Sequence, residues 1–169
     1  MRMGLVGVFA ADQRGMSVCS SLLCGTGAGE VSTSGEVLLP CAPASVPDAR
    51  WRLAADLRAA GIAGPAIADA ALVVSELMSN AIRHAQPLAG CTVGVAWLLQ
   101  GGCLEVSVSD GGAPTWPQAG HLSLSALGGR GLAIVEQVAQ SWGVYSSGQG
   151  TTVWALLPAQ PALAGCGAR

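Results

Sequence analysis

Three polar residues with the capacity for chemistry recur at helical spacing in the middle of the chain: Glu76, Asn80 and His84. Residues four apart project from neighbouring turns of a helix in one direction, so these side chains form one polar stripe. A carboxylate and an amide held side by side can orient a metal ion and a water or hydroxyl group. A solvated helix face with an i,i+4 hydrogen bond would show the same spacing, so the stripe alone leaves both readings open.

Two glycine-rich runs downstream could bring backbone groups close to a ligand. The run 109–112, S-D-G-G, places an aspartate at a predicted strand end just before a tight turn. The run 127–132, L-G-G-R-G-L, opens a periodic helix, and glycines before a helix let backbone N–H groups approach an anion. A flexible loop would have the same composition. The irregular stretch between the two runs, residues 113–126, fits a loop or lid.

Composition excludes several classes of function. All eight basic residues are arginine, so a phosphate-binding loop ending in Gly-Lys-Ser/Thr and a lysine Schiff base are excluded. The net charge of -2 gives no electrostatic support for binding nucleic acid or an anionic membrane. The six cysteines contain no C-x-x-C pair, so neither a zinc site nor a redox motif is indicated. Without an uninterrupted apolar run of roughly 18 residues, we expect a soluble cytoplasmic protein that does not enter the membrane.

The polar stripe needs a helix that packs on a core. Apolar residues at three- and four-residue steps predict this helix over 64–86, where the proline at position 87 ends it. A short strand at 36–39 and a helix over about 45–60 precede it. Alternation predicts a hairpin of two strands, 91–99 and 104–108, around a Gly-Gly pair that suits a primed two-residue turn.

Two more strands, 142–146 and 151–157, follow the glycine-rich helix. These elements predict an α/β two-layer sandwich with a mixed, mostly antiparallel sheet and about three helices on one face. We divide the chain into a flexible N-terminal extension over 1–34, one domain over 35–158 and a flexible tail over 159–169.

Four short motifs in this order resemble the GHKL ATPase and kinase superfamily (the Bergerat ATP-binding fold). The similarity is greatest to the small anti-sigma-factor serine/threonine kinases and their stand-alone ATP-binding relatives. Each motif is weak by itself, but their order and flanking elements make the match specific over about residues 36–158. The matching segments are Glu76–His84 for the N box, Asp110–Gly112 for the first glycine box, Gly129–Leu132 for the second and Gly150–Thr152 for the last.

The resemblance implies ATP and Mg²⁺ as cofactors. Asn80 would be the Mg²⁺ ligand, since this ion takes most of its other ligands from phosphates and water. Asp110 would accept a hydrogen bond from the adenine amino group, with Thr151 or Thr152 completing a water network beside it.

The glycine boxes would let the lid backbone close over the phosphates, assisted by the dipole of the helix that follows. Arg130 would touch a phosphate or lie exposed on the surface. His84 would orient Asn80 or have a merely structural role. The remaining residues of the implied nucleotide site are Gly112, Gly129, Gly131, Leu132 and Gly150.

The resemblance also implies an activity. Glu76 would take the proton from a serine or threonine hydroxyl as it attacks the γ-phosphate. We therefore expect a Mg-ATP-dependent protein serine/threonine kinase that phosphorylates an anti-anti-sigma partner of the STAS type, binds a sigma factor and forms a homodimer. The alternative is an ATP-binding regulator with weak or no catalysis that sequesters a partner protein.

Overall fold

A computed structural model of the protein describes residues 32–112 and 124–162. Eight helices and strands lie in these ranges. In chain order they are β1 (Thr33–Pro40), α1 (Ser45–Ala59), α2 (Gly64–His84), β2 (Thr92–Gln100), β3 (Cys103–Asp110), α3 (Leu124–Val138), β4 (Ser141–Ser147) and β5 (Gly150–Pro158).

The five strands form one sheet in the order β1-β2-β3-β5-β4. Every neighbouring pair is antiparallel. Together with the three helices, this sheet confirms the predicted α/β sandwich. The turn between β2 and β3 is also as predicted, because Gly101 and Gly102 have φ values of 58° and 76°, as a primed hairpin turn requires.

Helix α2 packs on the central strands and is held there by its apolar side. Alternate residues of β2 and β3 face the same core. Each fully buried Val or Leu side chain contributes about 1.5–3 kcal/mol relative to an exposed one, so these contacts fix the rotation of α2. The buried residues are Ile67, Ala70, Val73, Val74, Leu77, Met78 and Ala81 of α2, Val93, Val95, Trp97 and Leu99 of β2, and Leu104, Val106 and Val108 of β3.

By length and hydropathy alone, α2 is also the one helix among the described residues that could cross a membrane. Its buried face and the charged side chains Asp69 and Glu76 mark it instead as the core helix of this domain.

Helix α3 begins earlier than the sequence predicts. Its first residue is Leu124, so the glycines of the run 127–132 lie inside the helix and not in front of it. The segment Leu124–Leu127 is rich in good helix formers, and each interior glycine costs only about 1 kcal/mol, which does not prevent a helix. The predicted helix N-terminus facing an anion near Leu132 is therefore absent from this structure. Residues 113–123, which hold most of the predicted lid, lie outside the described ranges.

Strand pairing and backbone hydrogen bonds also extend past the predicted domain limits at residues 35 and 158. Strand β1 starts at Thr33. Residues 159–162, which the sequence analysis placed in the tail, bond to the rest of the domain: the Ala159 N–H donates to the Gly102 carbonyl at 2.8 Å, and the Ala162 N–H donates to the Gly61 carbonyl at 2.8 Å. These bonds join residues 159–162 to the β2–β3 turn and to the connection between α1 and α2.

Candidate functional site

Glu76 and Asn80 lie one turn apart on α2, both half-buried at the edge of the core. The side-chain Nδ2 of Asn80 is buried without a hydrogen-bond partner, and it is the only such side-chain atom among the described residues. A flip of the amide would exchange its nitrogen and oxygen but still leave one buried polar atom unpaired. Such an atom costs about 1–3 kcal/mol, which a ligand that accepts a hydrogen bond from the amide would offset.

Gly131 of α3 lies directly against this pair. A Cβ atom on Gly131 would be 2.6 Å from the Glu76 Oε2 and 3.5 Å from both polar atoms of the Asn80 amide. Only glycine leaves room for the carboxylate at this distance. The structure thus brings the predicted N box and second glycine box together around one carboxylate and one amide.

Asp110 ends β3 and is only 7% exposed. The Gly112 N–H donates a hydrogen bond of 2.8 Å to the Asp110 Oδ1. Burial raises the pKa of the Asp110 carboxyl above its ordinary value, and the Gly112 hydrogen bond opposes that rise. No other donor from the described residues reaches this carboxylate, so its second oxygen can accept a hydrogen bond from a ligand.

The strand register decides which threonine accompanies Asp110. Thr151 pairs with Asp110 across β3 and β5, and Thr152 pairs with Ser109. Directly paired residues point to the same face of a sheet, and successive residues point to opposite faces. The Ser109 and Thr152 hydroxyls bond to each other at 2.8 Å on the far face. Thr151 is therefore the threonine beside Asp110, and the predicted role of Thr152 does not fit its position.

Two further contacts hold Thr151 and the start of β5 in place. The Ser146 and Thr151 hydroxyls are 3.0 Å apart and hydrogen bonded. Gly150 passes so close to the Asp110 carbonyl oxygen that a Cβ atom would overlap it. At φ 151° the position also disfavours other residues. Gly150 thus allows a close approach of the two backbones.

The turn after Asp110 is joined to the end of α2. The Gln86 N–H donates to the Gly112 carbonyl and the Gly111 N–H donates to the Gln86 carbonyl, both at 2.8 Å. A Cβ atom on Gly111 would be 2.5 Å from the Pro87 carbonyl oxygen. Because α2 also carries Glu76 and Asn80, this junction fixes the distance between the two ends of the site.

A cleft of about 240 Å³ opens beside this turn. It is smaller than the roughly 300–1,000 Å³ of pockets that hold a whole small molecule, so it suits one part of a larger ligand. Its lining residues are Gly111, Gly112, Ser146, Ser147, Gly148, Gly150 and Thr151.

His84 and Leu132 do not join this arrangement. His84 is the last residue of α2, is exposed and makes no hydrogen bond to Asn80. Leu132 is 2% exposed and packs in the core. The backbones of Gly129 and Arg130 lie within α3.

Sequence reasoning missed Gln86, Ser109 and Ser146. Gln86 acts through its backbone, which no residue type reveals. The two serines acquire partners only through strand register.

The residues present fit a magnesium nucleotide. Among the described parts of the chain no cluster of three or more His, Cys, Asp or Glu side chains could hold a metal ion alone. Mg²⁺ needs no such cluster, since it binds through one or two protein oxygens together with phosphates and water. The side-chain oxygen of Asn80 supplies one such ligand, and its unpaired Nδ2 can donate a hydrogen bond to a phosphate oxygen.

Known proteins give two points of similarity. The structure is similar to the crystal structure of the RsbU and RsbW domains of Rv1364c from Mycobacterium tuberculosis, with a TM-score of 0.59 and 23% sequence identity. The match covers 77% of this chain and 34% of that one, so the chain spans about a third of the length of this relative. No curated protein shows significant sequence similarity.

The family comparison covers most of the described domain. Residues 39–157, more than half of the chain, match the histidine kinase-like ATPase domain family, and this range includes Glu76, Asn80, Asp110, Gly131 and Thr151. The chain belongs to the histidine kinase-like ATPase domain family.

Proposed function

We propose that this protein is a Mg-ATP-dependent protein serine/threonine kinase of the anti-sigma-factor type. The observation that carries the proposal is the gathering of the Glu76 carboxylate, the unpaired Asn80 amide and Gly131 at one end of the site. The buried Asp110 carboxylate, beside Thr151, forms the other end. A base that receives the hydroxyl proton and a residue that holds Mg²⁺ recur in enzymes that transfer phosphoryl groups from ATP, and a buried acceptor can select the adenine base.

At the adenine end, Asp110 accepts a hydrogen bond from the exocyclic amino group through the oxygen that Gly112 does not occupy. Guanine presents a carbonyl at the corresponding position, so two acceptors would face each other. Asp110 thereby selects adenine over guanine. Thr151 lies on the same side and holds water or the base edge next to the carboxylate.

At the phosphate end, Asn80 would hold Mg²⁺ through its side-chain oxygen. The ion would supply positive charge that neutralises the phosphate oxygens. Glu76 accepts the proton of a substrate serine or threonine hydroxyl as the hydroxyl oxygen bonds to the γ-phosphorus and the bond to ADP breaks. Because such transfer depends mainly on positioning and charge, the close packing of Gly131 against Glu76 is part of the catalytic geometry.

The partners follow from the same proposal. An anti-anti-sigma protein of the STAS type would be the phosphoryl acceptor and a sigma factor would be the regulated partner, with the kinase acting as a cytoplasmic homodimer. The similarity in fold to RsbW-containing domains supports this choice.

Labelled ATP, Mg²⁺ and a STAS-domain acceptor test the proposal. We expect label on an acceptor serine or threonine, with no label from GTP. ATP binding without any transfer to the acceptor would contradict the kinase proposal and identify an ATP-binding regulator that sequesters its partner.

Thr151 and Thr152 offer a matched pair of substitutions. We expect Thr151→Val to weaken ATP binding about 2- to 12-fold, the equivalent of one net hydrogen bond of 0.5–1.5 kcal/mol. Thr152→Val should leave ATP affinity unchanged, because this side chain bonds to Ser109 on the far face. Calorimetric titration with Mg-ATP measures both, and equal effects of the two variants would contradict the assignment of Thr151.

Gly131→Ala should lower the rate of phosphoryl transfer while leaving the stability of the fold nearly unchanged. The added methyl would meet the mobile end of the Glu76 side chain, which can rotate away at small cost to stability. A displaced base about 1 Å from its position can lower the transfer rate roughly 100-fold. The measurements are the rate of phosphoryl transfer and the melting temperature.

Gly64→Ala is the control for this variant, since Gly64 is also in a helix and a Cβ atom added to it would have no neighbour within 4 Å. Its transfer rate should equal that of the wild type. A wild-type rate for Gly131→Ala would show that α3 does not lie against Glu76 during turnover.

A further inference from the structure

Two cysteines that are 50 positions apart in sequence face each other where β1 and β2 end their pairing. Pro40 pairs with Thr92, and the next residue outward on each strand is Cys41 and Cys91 respectively. The Cys41 N–H donates to the Cys91 carbonyl at 2.9 Å. Residues directly opposite each other on adjacent antiparallel strands have Cα atoms roughly 4.5–5.5 Å apart. That separation lies within the range of about 4.4–6.8 Å that a disulfide spans.

Both side chains are free thiols, with Cys41 half-buried and Cys91 exposed. Cys91 is therefore accessible to a small reagent. Cys41 lies beside it and can attack a mixed disulfide formed at Cys91. Cys103, the third cysteine of the described ranges, is disulfide-bonded.

The backbone at Cys91 is held in an unfavourable conformation. Its φ of 56° is the only positive value among the non-glycine residues that the structure describes. For residues other than glycine this region costs roughly 1–2 kcal/mol, so surrounding contacts must impose it. One such contact is the hydrogen bond of 2.8 Å from the Leu88 N–H to the Thr92 carbonyl, which closes the turn around Cys91. The preceding residue, Gly90, also has a positive φ, of 75°.

The turn that contains Cys91 continues directly into the candidate site. Residues 85–91 join α2 to β2, and within them Gln86 exchanges two backbone hydrogen bonds with Gly111 and Gly112. A covalent link at Cys91 would restrain one end of this segment. The other end supports the turn that carries the hydrogen bond to Asp110.

We propose that Cys41 and Cys91 form a redox-active thiol pair that closes to a disulfide on reaction with a small-molecule disulfide such as oxidised glutathione. The Cys91 thiolate attacks one sulfur of the reagent, forms a mixed disulfide and expels one glutathione thiolate. The Cys41 thiolate then attacks the Cys91 sulfur, forms the intramolecular S–S bond and expels the second glutathione thiolate. Two protein thiols are oxidised and one glutathione disulfide is reduced to two thiols, and the two protons lost by Cys41 and Cys91 are taken up by the expelled glutathione thiolates.

The test is equilibration of the full-length protein in glutathione buffers of increasing oxidised fraction, followed by acid quenching and peptide mass spectrometry. We expect a peptide cross-linked through Cys41 and Cys91 that grows with the oxidised fraction and disappears on reduction. Cys103 gives peptides of different mass and does not interfere.

Two single variants distinguish a pair from two unrelated thiols. Cys41→Ser should accumulate a stable glutathione adduct on Cys91, because the resolving thiol is gone. Cys91→Ser should react several-fold more slowly, because the half-buried Cys41 is then the only target of the pair. Circular dichroism checks that both variants fold.

A second readout reports on the connection to the site. Amide hydrogen exchange at Gln86 and Gly111 should become several-fold slower in the disulfide form, because the segment 85–91 is then restrained. Absence of the cross-linked peptide in fully oxidised buffer would overturn the proposal, as would equal adduct formation on Cys91 in the wild type and in Cys41→Ser.

Discussion

Glu76→Gln is expected to reduce phosphoryl transfer about 10²- to 10⁴-fold, the usual contribution of a positioned general base. The substitution keeps the shape of the side chain and its place against Gly131 but removes its ability to take a proton. ATP affinity should stay the same or rise slightly, because a negative charge near the phosphates is lost. Single-turnover transfer to the acceptor and calorimetric titration with Mg-ATP measure the two effects separately.

Glu136→Gln is the matched control, since Glu136 is an exposed glutamate on α3. It should transfer phosphate at the wild-type rate. If Glu76→Gln instead weakened ATP binding while the transfer rate at saturating ATP stayed normal, Glu76 would be a binding residue and another group would be the base.

Asp110→Asn is expected to weaken ATP binding about 10- to 150-fold, which corresponds to the 1.5–3 kcal/mol of a hydrogen bond to a charged group. Asparagine retains an oxygen for the Gly112 N–H, so the turn should remain in place. Its amide nitrogen would then face the adenine amino group, and two donors cannot bond to each other. Calorimetric titration with ATP measures the loss.

The same substitution should not destabilise the protein at neutral pH. Burial raises the pKa of Asp110 in the folded state above its ordinary value of 3.8, so the folded chain binds this proton more tightly than the unfolded chain. Stability therefore falls as pH rises from 3.8 through the raised pKa, and the loss persists at neutral pH. Asp110→Asn removes this dependence.

Thermal unfolding at neutral pH and again below pH 3.8 tests this expectation. The variant should melt at or above the wild-type temperature at neutral pH, and its advantage should shrink in acid. Asp69→Asn, on the exposed surface of α2, is the control and should leave ATP binding unchanged. Loss of both binding and stability in Asp110→Asn would show that this carboxylate is structural.

Residue types and spacing are sufficient to predict those parts of the site that depend on local order. The i,i+4 spacing places Glu76 and Asn80 on one side of α2, and the Gly-Gly turn predicts the hairpin that ends at Asp110. Both arise from short-range periodicity and turn chemistry.

Features that depend on distant pairing could not be predicted. Only the register between β3 and β5 determines that Thr151, and not Thr152, lies beside Asp110. No local sequence signal encodes that register. The predicted start of α3 is too late because the glycines at 128, 129 and 131 are typical of a loop. Apolar residues on both sides of them continue the helix, and burial of Leu132 and Val135 outweighs the low helix propensity of glycine.

The pairing of β3 with β5 also determines when the site can exist during synthesis of the chain. Glu76 and Asn80 lie on a helix completed at residue 84, but Asp110 acquires Thr151 only when β5, ending at Pro158, has joined the sheet. Contacts between residues so far apart in sequence form late in folding. The entropy cost of closing the loop between them must be met before the contact contributes any stability. Under the proposed function, a nascent chain therefore carries Glu76 and Asn80 before Gly131 completes the phosphate end and Thr151 completes the adenine end.

Under the proposed function, nucleotide would bind only the completed fold, and binding would then stabilise that fold by about 4.1 kcal/mol at a thousandfold excess of ligand over Kd. The concentration of ATP in the cell would accordingly help to determine how much of the protein survives proteolysis.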